Sequence, residues 1–242
     1  MAKVPYSPDE VFAAFTNDYR AVFGQDLLSI VLYGSGARGE YRRKHSDINF
    51  LIVLTENGMK ELAKAFPLVR KWRKRNVSIP LFMTPEYIST SLDSFPMEFL
   101  ALKQHHRMVY GDDPLESLQI DKKLLRLQCE HEVKGKLLHL REAYLATQGS
   151  KAELTKLIRR SLTAFVPLFE ALLVLKDVEP PATKMEIVTR GVQMFGLNEE
   201  VFSRLLGVWN GEKLSEEETD RLAQQYIWEI RRLALEIDKF KP

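Results

Sequence analysis

The sequence predicts an α+β domain followed by an all-α, up-down helical bundle, and three observations carry that prediction. Two apolar runs, Leu27 to Leu32 and Ile48 to Leu54, have the length and composition of buried strands. From Asp121 onward, apolar residues recur only at helical spacing. Between these regions the turn cluster Gly111-Asp112-Asp113-Pro114 marks a change of composition, which places the domains at residues 1–118 and 119–242.

In chain order, Ser7-Pro8-Asp9-Glu10 opens the first helix, with Ser7 as cap, Pro8 in the first turn and Glu10 three residues on. Val11, Phe12, Phe15, Tyr19, Val22 and Phe23 give it one apolar face, and Gly24 ends it. The first strand follows, then a connection rich in glycine and arginine, then the second strand. Asn57 is expected to cap a short helix carrying Leu62, Ala63 and Phe66, with Pro67 near its end. A third strand is read over Val77 to Met83, where Pro80 argues for an edge position or a bulge. Thr84-Pro85-Glu86 starts another helix, Ser94 is expected to cap the next, and Arg107 to Tyr110 reads as a final short strand.

The second half reads as helices over Leu124 to Leu145 and Leu154 to Leu175, the latter carrying a Pro167 expected to kink it. Met185 to Phe195, a helix opened by Asn198, and a last one opened by the Ser215/Glu218 capping box complete the bundle. Leu222, Tyr226, Ile230, Leu233 and Ile237 mark the buried face of that last helix.

A hydrophobic content of 45% with 28% charged residues is that of a folded globular chain rather than a disordered one. The net charge of +2 is too near balance to call for nucleic acid by itself. One cysteine, Cys129, excludes an intrachain disulfide and a cysteine zinc cluster. No apolar stretch reaches membrane-spanning length and the N-terminus has no secretory core, so a cytoplasmic protein is expected.

The stretch Leu32-Tyr33-Gly34-Ser35-Gly36-Ala37-Arg38-Gly39, running on to Asp47-Ile48-Asn49, organises the first domain. Glycines let backbone N–H groups approach an anion, and Ser35 adds a hydroxyl at the expected start of a helix. Taken alone, Gly34-Ser35 reads better as a simple turn with a helix cap. The strand, the Gly-Ser pair, the spacer and Asp47 in the next strand together resemble the nucleotidyltransferase superfamily, with its DNA polymerase β-like fold. The order of elements is similar to that of aminoglycoside-type and minimal nucleotidyltransferases.

That resemblance implies a mixed sheet with flanking helices and a helical domain that closes over a nucleotide cleft. It implies a nucleoside triphosphate as substrate or ligand, transfer of a nucleoside monophosphate to a hydroxyl acceptor, and two Mg²⁺ ions. Carried over residue by residue, Gly34, Ser35, Arg38 and Arg42 would hold phosphates, and Asp47 and Asn49 would hold metal. The family places Asp-x-Asp or Asp-x-Glu where this chain has Asp47-Ile48-Asn49, so one negative charge is missing. The third carboxylate has no counterpart on Val77 to Met83, although Glu86 just beyond it could reach back.

Two functions from different classes follow. One is an enzyme transferring a nucleoside monophosphate to an unidentified acceptor. The other is a catalytically inactive protein of the same fold, serving as a nucleotide-binding, regulatory or protein-interaction module, alone or as a homo-oligomer. The missing acids favour the second. Arg38, Arg42, Arg43 and Lys44 fit either a triphosphate contact or a solvated basic loop. The run Arg70 to Arg75 would suit a nucleic-acid backbone, or a solvated helix face with Trp72 turned inward. His105-His106 has no second pair to complete a metal site. Arg126 and His131 have a spacing similar to that of HEPN ribonucleases, from which Leu127 departs.

Overall fold

The computed structural model describes residues 4–241. They divide into two compact units, one running to Ile120 and the other beginning at Asp121.

The first unit is built on a four-stranded mixed sheet. Its strands are β1 (Leu27–Tyr33), β2 (Asn49–Leu54), β3 (Leu81–Met83) and β4 (His106–Gly111), in the order β3-β2-β1-β4. β1 is antiparallel to both β2 and β4, and β3 is parallel to β2. The register sets Tyr33 opposite Asn49 on one side and opposite His106 on the other. The ends of all three elements therefore meet where the Gly34 turn begins.

Alternation along β1 and β2 sends side chains to both faces, and both are covered. Helix α1 (Asp9–Phe23) packs Val11, Phe15 and Tyr19 with Ile30, Leu32, Phe50 and Ile52 on one face. Val31, Leu51 and Val53 pack with Ile88, Phe99 and Leu115 on the other. Phe15 stacks on Phe50 with ring centroids 4.2 Å apart, fixing α1 over β2. At the start of α1, Pro8 rather than Ser7 holds the cap position and no side chain caps the helix, although the Asp9 N–H approaches Ser7 Oγ and the Ser7 N–H the Glu10 carboxylate.

Several boundaries differ from expectation. Thr55, not Asn57, caps α2 (Glu56–Lys60), because its side chain accepts from the Gly58 N–H. Pro67 lies in the first turn of α3 (Phe66–Arg73) rather than at a helix end, the position where its missing N–H costs nothing. Phe95, not Ser94, precedes α5 (Pro96–Gln104), since the Ser94 hydroxyl donates to Asp93. The third strand is shortened to Leu81–Met83 and sits at the sheet edge, the placement Pro80 called for. The Thr84 cap of α4 (Pro85–Thr90) is formed as read.

The second unit contains α6 (Lys122–Ala146), α7 (Lys151–Leu175), α8 (Lys184–Met194), α9 (Glu199–Trp209) and α10 (Glu216–Lys239). α7 runs through Pro167 to Leu175 and buries most of its second half. The Ser215/Glu218 box forms, and the five apolar residues expected on α10 are buried. On α6, hydrogen bonds from Lys134 and Arg126 hold the Glu130 carboxyl at about 2, against the opposing pull of partial burial. No helix among the described residues is long and apolar enough to cross a membrane.

One polar clamp ties the segments before and after β4 together. His106 donates from Nδ1 to the Lys103 carbonyl at 3.0 Å, and its Nε2 lies 2.8 Å from Asp113 Oδ2. The other Asp113 oxygen accepts the Leu115 N–H at 2.8 Å. Burial pushes the Asp113 carboxyl up, but the hydrogen bonds from His106 and Leu115 outweigh it and hold it below the usual carboxylate range. A carboxyl depressed in the folded state stabilises the fold above its unfolded value of about 3.9. That contribution is lost as pH falls through the folded value. Asp113→Asn should therefore lose about 1 kcal/mol at pH 7, a fall of about 2–4 °C in Tm. It should also flatten the acid limb below about pH 4 when thermal unfolding is followed across pH.

Candidate functional site

At the C-terminal end of β1 the chain turns at once. Gly34 has φ +70°, the left-handed region that a Cβ disfavours, and Gly34–Gly36 forms a single tight turn. The N–H groups of Ala37 and Arg38 both donate to the Gly34 carbonyl at 3.1 Å. The N–H groups of Ser35 and Gly36 come before that first hydrogen bond and have no partner within the turn. The expected helix after Ser35 is thus one turn only. Gly36 is buried, and a Cβ there would stand 3.3 Å from both Leu32 and Pro8.

The basic connection is folded on itself. The Ser46 N–H and His45 N–H donate to the Arg42 carbonyl, and the Arg42 N–H donates to Ser46 Oγ. This closed turn leaves the Arg42 side chain exposed. Arg43 is otherwise engaged: it stacks on the Tyr6 ring at 3.7 Å and donates to the Val4 carbonyl. Tyr41 donates to the Pro5 carbonyl, so the N-terminal segment straps this loop. Arg38 lies half-buried at the end of the Gly34 turn.

Asp47 is exposed and Asn49 half-buried on the neighbouring strand. Asn49 faces the Gly34 turn, its Nδ2 lying 3.1 Å from where a Gly34 Cβ would stand. Its Oδ1 is 2.6 Å from Ser78 Oγ, a hydroxyl also 3.2 Å from the Ile48 carbonyl. A separation of 2.6 Å suits O–H···O and is short for N–H···O. The Ser78 hydroxyl therefore donates to the amide oxygen, and the amide NH₂ is turned toward the Asp47 carbonyl, at 3.4 Å, and the loop. Ser78 is held there because its N–H donates to the Ile48 carbonyl, while the Ile48 N–H donates to the Asn76 carbonyl.

This pairing bears directly on metal. The resemblance places acids on β2 and on the strand beside it; here the two positions carry an amide and a hydroxyl that satisfy one another. Glu86 does not replace them. Met83 aligns with Val53, four residues beyond Asn49, so parallel pairing carries Glu86 past the opposite end of the sheet, roughly 13 Å or more away along the strand. No group of three or more His, Cys, Asp and Glu residues placed to hold a metal ion occurs among the described residues. One exposed carboxylate and an amide oxygen already taken by a hydroxyl do not fit two Mg²⁺ ions, which need several anionic oxygens in octahedral array.

Other sequence candidates are accounted for structurally. Trp72 is buried and donates from Nε1 to Asp18 at 2.9 Å, while Lys71 pairs with the same carboxylate. Arg70, Lys71, Arg73 and Lys74 form the solvated face of the segment. Arg126 pairs with Glu130 and donates to the Ile237 carbonyl at the end of α10; His131 is exposed, about 140° around the helix from it. His106 serves the β4 clamp. A concavity of about 680 Å³ between α6 and α7 contains none of the loop residues. Ser78 was missed as a site residue in the sequence. Its small size and its position on the expected third-acid strand were the available signal.

No protein-family model matches the chain, and no curated protein matches it. Among solved structures it is similar to the spectinomycin adenyltransferase AAD(9) from Enterococcus faecialis, determined with ATP and spectinomycin. Sequence identity is 13% and the TM-score 0.53, with 94% of this chain and 99% of that one covered. At this identity the likeness defines the fold: the chain is an α+β protein with a nucleotidyltransferase-like fold and a C-terminal helical region.

Gly34→Ala and Gly39→Ala separate backbone strain from packing. Both glycines have positive φ, but only Gly34 faces the Asn49 amide; nothing lies within 4 Å of a Cβ at Gly39. Each substitution should cost about 1 kcal/mol from strain. Chemical denaturation should show the larger loss for Gly34→Ala.

Proposed function

We propose that this protein binds nucleoside triphosphate at the Gly34–Arg38 turn and does not carry out two-metal nucleotidyl transfer. The observation that carries this reading is the 2.6 Å hydrogen bond between Ser78 Oγ and Asn49 Oδ1. Two-metal transfer clamps the attacking and leaving oxygens between cations, and those cations need compensating negative charge from the protein. A neutral amide–hydroxyl pair supplies none, and Asp47 alone supplies one charge.

What favours nucleotide binding is local. A left-handed glycine turn, with Ser35 and Gly36 N–H groups that the turn itself does not use, and the basic residues Arg38 and Arg42 suit a polyphosphate. The similar adenyltransferase was determined with ATP, which supports a triphosphate as the ligand class. The role that follows is regulatory or adaptor-like: a nucleotide-dependent binding module on a transferase fold. An acceptor hydroxyl and chemistry at it belong to the competing enzymatic reading.

Calorimetric titration with each nucleoside triphosphate, with and without Mg²⁺, tests this directly. Binding should occur with micromolar-range affinity, about −8 kcal/mol, in both conditions, and Asp47→Ala should leave it essentially unchanged. Binding that requires Mg²⁺ and vanishes in Asp47→Ala would establish a working metal site and return the protein to the enzymes.

A further inference from the structure

We infer that Asn49 has reversed the sense of its position: where the fold family ligates a cation, this chain offers a hydrogen-bond donor to an anion. The inference rests on the nucleotide reading above and names the form of ligand the site selects, a metal-free triphosphate. Its basis is geometric. A primary amide has one acceptor end and one donor end with two N–H groups. The Ser78 hydroxyl occupies the acceptor end at 2.6 Å, which fixes the amide and leaves the donor end toward the Gly34 turn. One N–H faces the Asp47 carbonyl at a long 3.4 Å; the other has no partner among the described residues. Gly34 lacks the Cβ that would stand 3.1 Å from Nδ2 and cover it.

The same three residues therefore perform three linked tasks. Ser78 is a positioning residue that orients the amide. Asn49 touches the ligand, and Gly34 leaves the approach open. An N–H donor gains most from a phosphate oxygen carrying full negative charge. Mg²⁺ on the phosphates takes up oxygens and charge that the donor would use, so the free triphosphate is preferred to its magnesium complex. A carboxylate at position 49 inverts that preference by repelling the anion and attracting the complexed cation.

The test compares ATP and inorganic tripolyphosphate as probes, in EDTA and in excess Mg²⁺, on the full chain. The unsubstituted protein should bind both probes in EDTA at least as tightly as in Mg²⁺. Asn49→Asp should weaken binding in EDTA by about tenfold or more and shift the preference toward the magnesium complex, and Asn49→Ala should weaken it by about fivefold. Ser78→Ala should erode the preference for the metal-free form, and Ser78→Thr, which keeps the hydroxyl, should restore it. Matching thermal unfolding of each variant confirms that it is folded. If the unsubstituted chain binds in EDTA and both Asn49 variants stay within about twofold of it, the role of Asn49 is overturned while the nucleotide reading stands. If the unsubstituted chain binds neither probe, the nucleotide reading itself fails.

Discussion

The antiparallel register of β1 and β2 is the constraint on which the rest depends. Tyr33 opposite Asn49 brings the end of one central strand beside the start of the other, so the chain must leave β1 at Gly34 without striking the Asn49 side chain. The register is enforced from both faces, by Phe50 under α1 on one side and Leu51 and Val53 against Ile88 and Phe99 on the other. A slip of one residue would exchange the two faces and set each row of side chains against the wrong packing partners. A site made of Gly34, Asn49 and Ser78 is therefore placed by the core rather than by its own contacts.

Electrostatics explains why the neutral pair is self-sufficient. Two carboxylates about 4 Å apart repel by about 4 kcal/mol at an effective dielectric of 20, so an acidic site of this kind is held together by its cations. The Asn49–Ser78 pair carries no such repulsion, and its hydrogen bond contributes about 1 kcal/mol without any ion. A neutral pair at these positions needs no metal and offers little means of holding one. The N-terminal strap, with Arg43 stacked on Tyr6, further fixes one of the loop's cations in a structural role. Arg42, by contrast, is exposed beside the turn.

Much of this was legible in the sequence, for identifiable reasons. The apolar runs that became β1 and β2, the cap at Thr84 and the capping box at Ser215 and Glu218 each depend on residues adjacent in the chain. Pro80 announced an edge strand because a ladder cannot use a residue without an N–H. Thr55 and Asn57 were both chemically able to cap α2, and the structure uses Thr55, whose hydroxyl also donates to Asp26 far back in the chain. Ser78 was invisible for a different reason. A serine has no signature of its own, and its importance comes from lying across a parallel pairing from Asn49, 29 residues away. Glu86 failed in the opposite way: near in sequence to the expected acid, it was carried to the far end of the sheet by strand direction.

The measurement that bears most directly on the central claim is uptake of Mn²⁺, a paramagnetic substitute for Mg²⁺. Free ion would be followed by electron paramagnetic resonance as protein is added to a fixed mixture of Mn²⁺ and ATP. A neutral pair that binds triphosphate without metal predicts that no Mn²⁺ is taken up beyond what ATP alone holds, and that free Mn²⁺ rises as protein draws metal-free ATP out of the mixture. Additional Mn²⁺ bound in proportion to protein, and lost in Asp47→Ala, would contradict the account.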